Sequence, residues 1–185
     1  MSTRQEIMNH AEYLVRTKGA NGFSYADLAT KLGIRKASIH YHFSSKNILL
    51  QSLIQNYHEQ MMTMLNELTQ SDNVLDQLNG FVDIYKQGLI DDTLCLCGML
   101  TLDRQALPPA MQAMLTDFFQ DIEQWLTKLF QDGQQQGQWS WMNQPELEAK
   151  AFLSLVQGAQ IISRSASEGE GEFDKIVQNQ LIRYL

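Results

Sequence analysis

FSYADLATKLGIRKASIHYHFSSKNILL, residues 23–50, joins two short helical patterns at a glycine. Ser24 followed three residues later by Asp27 has the form of a capping box: the hydroxyl takes a free backbone N–H and the acid reaches back to the cap. Tyr25, Leu28, Ala29 and Leu32 then recur at helical spacing. Gly33 ends this helix and permits a tight turn, since glycine enters the left-handed conformation at little cost. The next ten residues, IRKASIHYHF, bury little for themselves. Ile39 and Phe43 are one helical turn apart and share an anchoring face. Ala37, Ser38 and Tyr41 face outward, His40 and His42 sit on the flanks, and Arg35 and Lys36 occupy the first turn. Ser44-Ser45-Lys46 then caps a longer helix.

Charge separates this region from the rest. Residues 1–50 carry seven cationic side chains and three acids, a net +4, whereas the whole chain of 185 residues has a formal charge of -7. A basic end on an acidic body is the footprint expected when one end meets a polyanion. An ordinary solvated face explains the charge alone equally well. With 44% hydrophobic residues the chain can bury a real core. No run of apolar residues reaches the length needed to span a membrane. The N-terminus lacks a signal-peptide pattern, and two cysteines are too few for a disulfide framework, so a cytoplasmic protein is expected.

Outward from residue 50 the period stays helical. Ile7, Ala11, Leu14 and Val15 form a stripe ending at Lys18-Gly19. Leu50, Leu53, Ile54, Tyr57, Met61, Met64, Leu65 and Leu68 continue one long helix, from about 46 to 69, that can bridge two domains. Ser71-Asp72-Asn73 breaks it, and Leu78, Phe81, Val82 and Tyr85 define the next helix. LCLCGMLTLDRQALPP reads as a short helix and a turn. Pro109 opens a helix that Gly133 to Gly137 is expected to end. Pro145 opens another, with a stripe of Leu147, Ala151, Leu155, Ala159 and Ile162 beside Gly158. SASEGEGEF reads as a flexible acidic linker. Ile176, Val177, Leu181, Tyr184 and Leu185 line the last segment. The expected fold is all-α: a three-helix N-terminal domain, residues 1–48, joined by a long helix to a helical domain, residues 49–185.

A capped short helix, a glycine turn and a second short helix with a polar outer face are the parts of a helix-turn-helix. Such a second helix lies in the major groove of DNA. Arg35 and Lys36 can donate to guanine edges, and the Ala37 methyl can touch a thymine methyl. Ser38, His40, Tyr41 and His42 have the reach to hold phosphates, and Lys46 can pair with another.

The stretch Phe23–Leu50 resembles the TetR family of bacterial transcriptional repressors. Leu28-Ala29, Gly33-Ile34, His42-Phe43, Lys46 and Leu49 or Leu50 match its pattern. His40 stands where the family usually has Tyr, and Asn47 where Glu is common. The resemblance implies a homodimer on a pseudo-palindromic DNA operator and release by a small-molecule effector. It also implies that the helix near 145–165 and the last helix build the dimer interface.

Met61, Tyr85, Met114, Phe118, Trp125 and the pair Cys95 and Cys97 are the expected lining of an effector pocket. Their helical spacing suits a plain core as well. The cysteines read either as two small buried residues or as a thiol that senses an oxidant or electrophile, which requires a lowered pKa. His40 and His42 are two apart on a helix and cannot share a metal. No metal, no cofactor and no enzymatic activity are expected, because phosphate-loop, nucleophile and metal-cluster motifs are lacking. A protein that only organises DNA, or that answers to a partner protein, remains the other alternative.

Overall fold

The computed structural model describes residues 2–139 and 144–184. Among them every regular element is helical. The order is α1 (Thr3–Lys18), α2 (Tyr25–Leu32), α3 (Lys36–His42), α4 (Lys46–Leu68), α5 (Val74–Ile90), α6 (Leu96–Leu102), α7 (Pro109–Gln135), α8 (Pro145–Ser163) and α9 (Gly169–Leu181), with single 3-10 turns at Ala20–Gly22, Arg104–Ala106 and Ile182–Tyr184. The all-α reading is therefore correct. Among the described residues no helix is long and apolar enough to cross a membrane.

The chain forms two compact units. One comprises Met1–Gln60 and Cys95–Asp117, the other Met61–Leu94 and Phe118–Leu185. The first holds α1 to α3, the first turns of α4, and α6. Its core is Ile7, Ala11, Val15, Leu28, Ile39, Phe43, Leu49 and Leu53, each at most 1% exposed. α6 is tied to the first helices: the Asn21 amide donates to the Asp103 carboxylate at 3.3 Å. The Arg16 guanidinium lies 5.6 Å from the centre of the Tyr57 ring.

The second unit has an aromatic interior. Phe81 contacts Tyr85, Trp125 and Phe152 with ring centres 5.2, 5.9 and 6.2 Å apart. The Gln160 amide reaches from α8 to donate to the Tyr85 carbonyl at 2.8 Å, so a buried polar side chain is satisfied across two helices.

Three expectations change here, and one is sharpened. α7 ends at Gln135, within the expected stretch Gly133 to Gly137, although Gly133 itself lies inside the helix. A Cβ there would sit 2.3 Å from Trp139, so the glycine lets the indole lie against the helix. The helix stops just before Gly137, whose φ is 76°. GEGEF is no linker: α9 starts at Gly169, with Glu170 and Glu172 in its first turn. Two glycines cost helix propensity. Burial of Phe173 and Val177, acids at the positive end of the helix, and ion pairs of Lys86 with Asp174 (2.7 Å) and Glu170 (3.3 Å) offset that cost.

The stripe expected on α8 is mostly outward. Leu147 and Ile162 are 57% and 59% exposed. Within the chain α8 buries a different face, Ala149, Phe152, Leu153, Val156, Ala159, Gln160 and Ser163, of which the expected stripe contained only Ala159. On α4, Met64 is exposed although its spacing placed it with the apolar residues. Leu185 lies outside the described residues.

Candidate DNA-binding interface

The interface is built by local rules. Ser24 Oγ accepts from the Asp27 N–H at 3.3 Å, and the Asp27 carboxylate accepts from the Ser24 N–H at 2.7 Å. The hydrogen bonds from Ser24 hold the Asp27 carboxyl below the usual carboxylate range. Gly33 takes φ 65° and ψ 27°, the left-handed conformation that turns the chain from α2 into α3. α3 then carries a single deep anchor pair: Ile39 is 0% and Phe43 1% exposed. Burying two such side chains contributes about 1.5–3 kcal/mol each. Ser45 Oγ accepts from the Ile48 N–H at 3.3 Å and starts α4.

With the anchor pair inside, the rest of α3 is presented outward. Arg35, Lys36, Ala37, His40 and Tyr41 are exposed, Ser38 and His42 half-buried. Tyr41 is 86% exposed, the most of any large apolar or aromatic side chain among the described residues. Its ring meets His42 edge-on at 5.1 Å, so the two present one contiguous edge. Three cations, two imidazoles and two hydroxyls thus share the region around one short helix. This is the donor set that phosphates and guanine edges accept from.

Sequence reasoning missed a clasp that sets the angle of this helix. The Tyr25 hydroxyl donates to the Phe43 carbonyl at 3.0 Å, and burial pushes its phenol up to about 12. The Tyr25 ring also packs edge-on against His40 at 4.9 Å. Lys46 Nζ donates to the Phe23 carbonyl at 2.5 Å and lies 4.2 Å from the centre of the Phe23 ring. Partial burial lowers the Lys46 pKa. Lys46 therefore joins the start of α4 to the entrance of α2, and a phosphate would meet its remaining N–H groups. Arg4 covers the Phe43 ring from α1 at 4.9 Å. The signal that could have found the clasp is the aromatic residue on each side of the Ser24 cap.

The expected effector residues are not gathered in one unit. Cys95, Cys97 and Met114 belong to the first unit, and Met61, Tyr85, Phe118 and Trp125 to the second. Met61, Tyr85 and Phe118 are core. Trp125 is half-buried and donates its indole N–H to Thr69 Oγ1 at 3.1 Å. Cys95 and Cys97 are buried, and burial pushes the Cys97 thiol well up, the opposite of what a reactive thiol requires. A surface cleft of about 400 Å³, lined by Glu6, Asn9, His10, Lys31 and Leu32, contains none of the seven.

Known proteins are similar to this chain in sequence and fold. Residues 7–53 match the sequence model of the bacterial regulatory proteins of the tetR family. A solved transcriptional regulator of the TetR family from Agrobacterium tumefaciens superposes with a TM-score of 0.91 at 30% identity, over 97% of this chain and 96% of that one. The nucleoid occlusion factor SlmA of Vibrio campbellii is 35% identical over 66 residues, so the match spans 35% of this chain and only 34% of that protein. The HTH-type transcriptional regulator UidR of Escherichia coli strain K12 is 23% identical over 180 residues, 91% of this chain and 88% of that protein.

Proposed function

Because the chain belongs to the TetR family of bacterial transcriptional regulators, DNA-binding proteins and not enzymes, we propose that it is a cytoplasmic repressor that grips a pseudo-palindromic operator as a homodimer and leaves it when a small-molecule effector binds. The observation that carries this reading is the split of α3 into a buried pair, Ile39 and Phe43, and an exposed set led by Arg35, Lys36, Ala37 and Tyr41. Each α3 enters a major groove. Arg35 and Lys36 read bases, with Ala37 against a thymine methyl. Ser38, His40, Tyr41, His42 and Lys46 hold phosphates and fix register.

The functional division is residues 1–48 for reading DNA and 49–185 for effector binding and dimerisation. The outward stripe of α8 supports the homodimer. Leu147, Ile161 and Ile162 are 57%, 50% and 59% exposed, and a Cβ built on Gly158 meets nothing within 4 Å. An apolar helix face of this kind, with a small residue that admits a close neighbour, suits a second copy of itself.

The effector belongs with the aromatic interior of the second unit, near Met61, Tyr85, Phe118 and Trp125. Buried thiols with Cys97 pushed up make a small molecule a better signal than a thiol-reactive one. An effector that prefers the conformation with badly spaced reading helices shifts the population off DNA, by no more than its differential affinity for the two states. α4, shared by both units, is the element that transmits this.

The test is fluorescence anisotropy with DNA from the region upstream of the protein's own gene, over a salt series, against scrambled DNA. Tight, selective binding that the Arg35→Ala/Lys36→Ala variant loses is the expected result. Binding of equal strength to both DNAs at every salt concentration overturns the operator reading. A second reading is a DNA-bound factor that answers to a protein partner. Selective binding that a broad panel of small molecules fails to weaken would support it.

A further inference from the structure

The two ring nitrogens of His40 have different surroundings. The side chain is exposed, and its Nδ1 lies 3.4 Å from the Ser44 carbonyl oxygen, one turn further along the chain. A carbonyl only accepts, so in the neutral ring this contact places the hydrogen on Nδ1. The Tyr25 ring packs edge-on against the imidazole at 4.9 Å and fixes its orientation. Among the described residues Nε2 has no partner, and in the neutral ring it carries a bare lone pair.

A phosphate oxygen also only accepts. Neutral His40 therefore turns one acceptor towards another, whereas a proton on Nε2 makes the same atom a charged donor. The hydroxyls of Ser38 and Tyr41 donate without such a change. The groups on the packed elements do not neutralise that charge in advance. Tyr25 of α2 has its hydroxyl on the Phe43 carbonyl, and Asp27 is bonded to Ser24. Lys46 of α4 bonds the Phe23 carbonyl, and Arg4 of α1 covers the Phe43 ring. On α3 itself Lys36 lies one turn earlier, while Tyr41 and His42 pack on each other. Among the described residues no carboxylate contacts the imidazole.

We propose that His40 couples DNA binding to proton uptake: α3 holds a phosphate through Nε2 of His40 only when that atom is protonated, so the protein grips DNA more tightly as pH falls from about 8 to about 6. The sign follows from linkage. A phosphate favours the charged ring, so the complex takes up protons, and a complex that takes up protons tightens as pH falls. The proposal rests on the reading of α3 as the helix that meets DNA. It does not rest on a particular operator, because phosphates carry no sequence.

The experiment is fluorescence anisotropy of the full chain at pH about 6, 7 and 8 and one ionic strength, on the upstream DNA and on scrambled DNA. The wild type is expected to bind both about five- to tenfold more tightly at the acid end than at the alkaline end. His40→Gln, which is uncharged throughout, should bind equally at all three. His42→Gln should keep most of the difference, since no carbonyl fixes the tautomer of that ring among the described residues. A wild type with no pH difference, or a His40→Gln variant that keeps it, overturns the proposal. Proton–nitrogen correlation spectra of the DNA-free chain give a second readout: the neutral His40 ring should carry its hydrogen on Nδ1. The opposite tautomer overturns the proposal even if the chain binds its operator selectively. Equal binding to both DNAs, with the pH difference present in the wild type and lost in His40→Gln, would support proton coupling while the operator reading falls.

Discussion

At the scale of single residues, the two lysines that bracket α3 have different surroundings and should have different roles. Lys36 is exposed on the first turn, whereas Lys46 already bonds the Phe23 carbonyl and lies over the Phe23 ring. Lys36→Ala should reduce discrimination at one base position by about 1–3 kcal/mol and leave the melt unchanged. Lys46→Ala should weaken binding to every sequence alike and lower the salt slope by about one. It should also lower stability by about 1 kcal/mol, because it removes an internal hydrogen bond. Anisotropy titrations at several salt concentrations, paired with urea melts, separate the two. Identical behaviour of both variants on specific and random DNA would reject this division of labour. The exposure of Lys36 was legible because outward placement on a short helix follows from period. The second attachment of Lys46 was not, because its partner lies 23 residues away in sequence.

At the scale of elements, α2 starts on a charged cap. The Asp27 carboxylate takes two hydrogen bonds from Ser24, and its pKa is lowered for that reason. A carboxylate depressed in the folded state contributes stability above its unfolded pKa, and that contribution is lost as pH falls through the folded value. The wild type should therefore lose more stability than Asp27→Asn between neutral pH and pH about 3, with the two melting curves converging at the acid end. Thermal melts followed by circular dichroism give the comparison; parallel curves would show that the cap carries no charge-dependent stability. The cap was readable from four consecutive residues. The start of α9 was not: its glycines and acids looked like a linker, and only Phe173 packed inside and Lys86 on α5 make that composition helical.

At the scale of the molecule, α8 carries two apolar faces. Its inner face builds the core with Phe152 and Val156, and its outer face leaves Leu147, Ile161 and Ile162 in solvent. Replacing Ile162 by Glu should leave the melt of the monomer nearly unchanged, since the side chain touches little within the chain. The same change should turn a dimer into a monomer by light scattering. Loss of simultaneous contact with two half-sites should then weaken operator binding about 100-fold or more. A variant that stays dimeric would place the interface elsewhere. The helical period of α8 was clear from sequence, but the period cannot say which of two apolar faces is spent inside the chain.

What the sequence by itself determined is what short-range chemistry controls: the all-α class, the boundaries at Ser24, Gly33, Ser45 and Pro145, and the sorting of α3 into buried Ile39 and Phe43 and exposed Arg35, Lys36 and Tyr41. Caps, left-handed glycines and one-turn spacings act over four residues or fewer, so their reading needs no other part of the chain. Only the tertiary structure decided the rest. It seated Lys46 on Phe23, admitted Trp139 against Gly133, made GEGEF helical and stacked Tyr184 on Phe130. It also placed Cys95–Asp117 in the same compact unit as α3. Each of these depends on which surface is left over for a side chain to meet after distant helices have packed. Local period and composition do not carry that information.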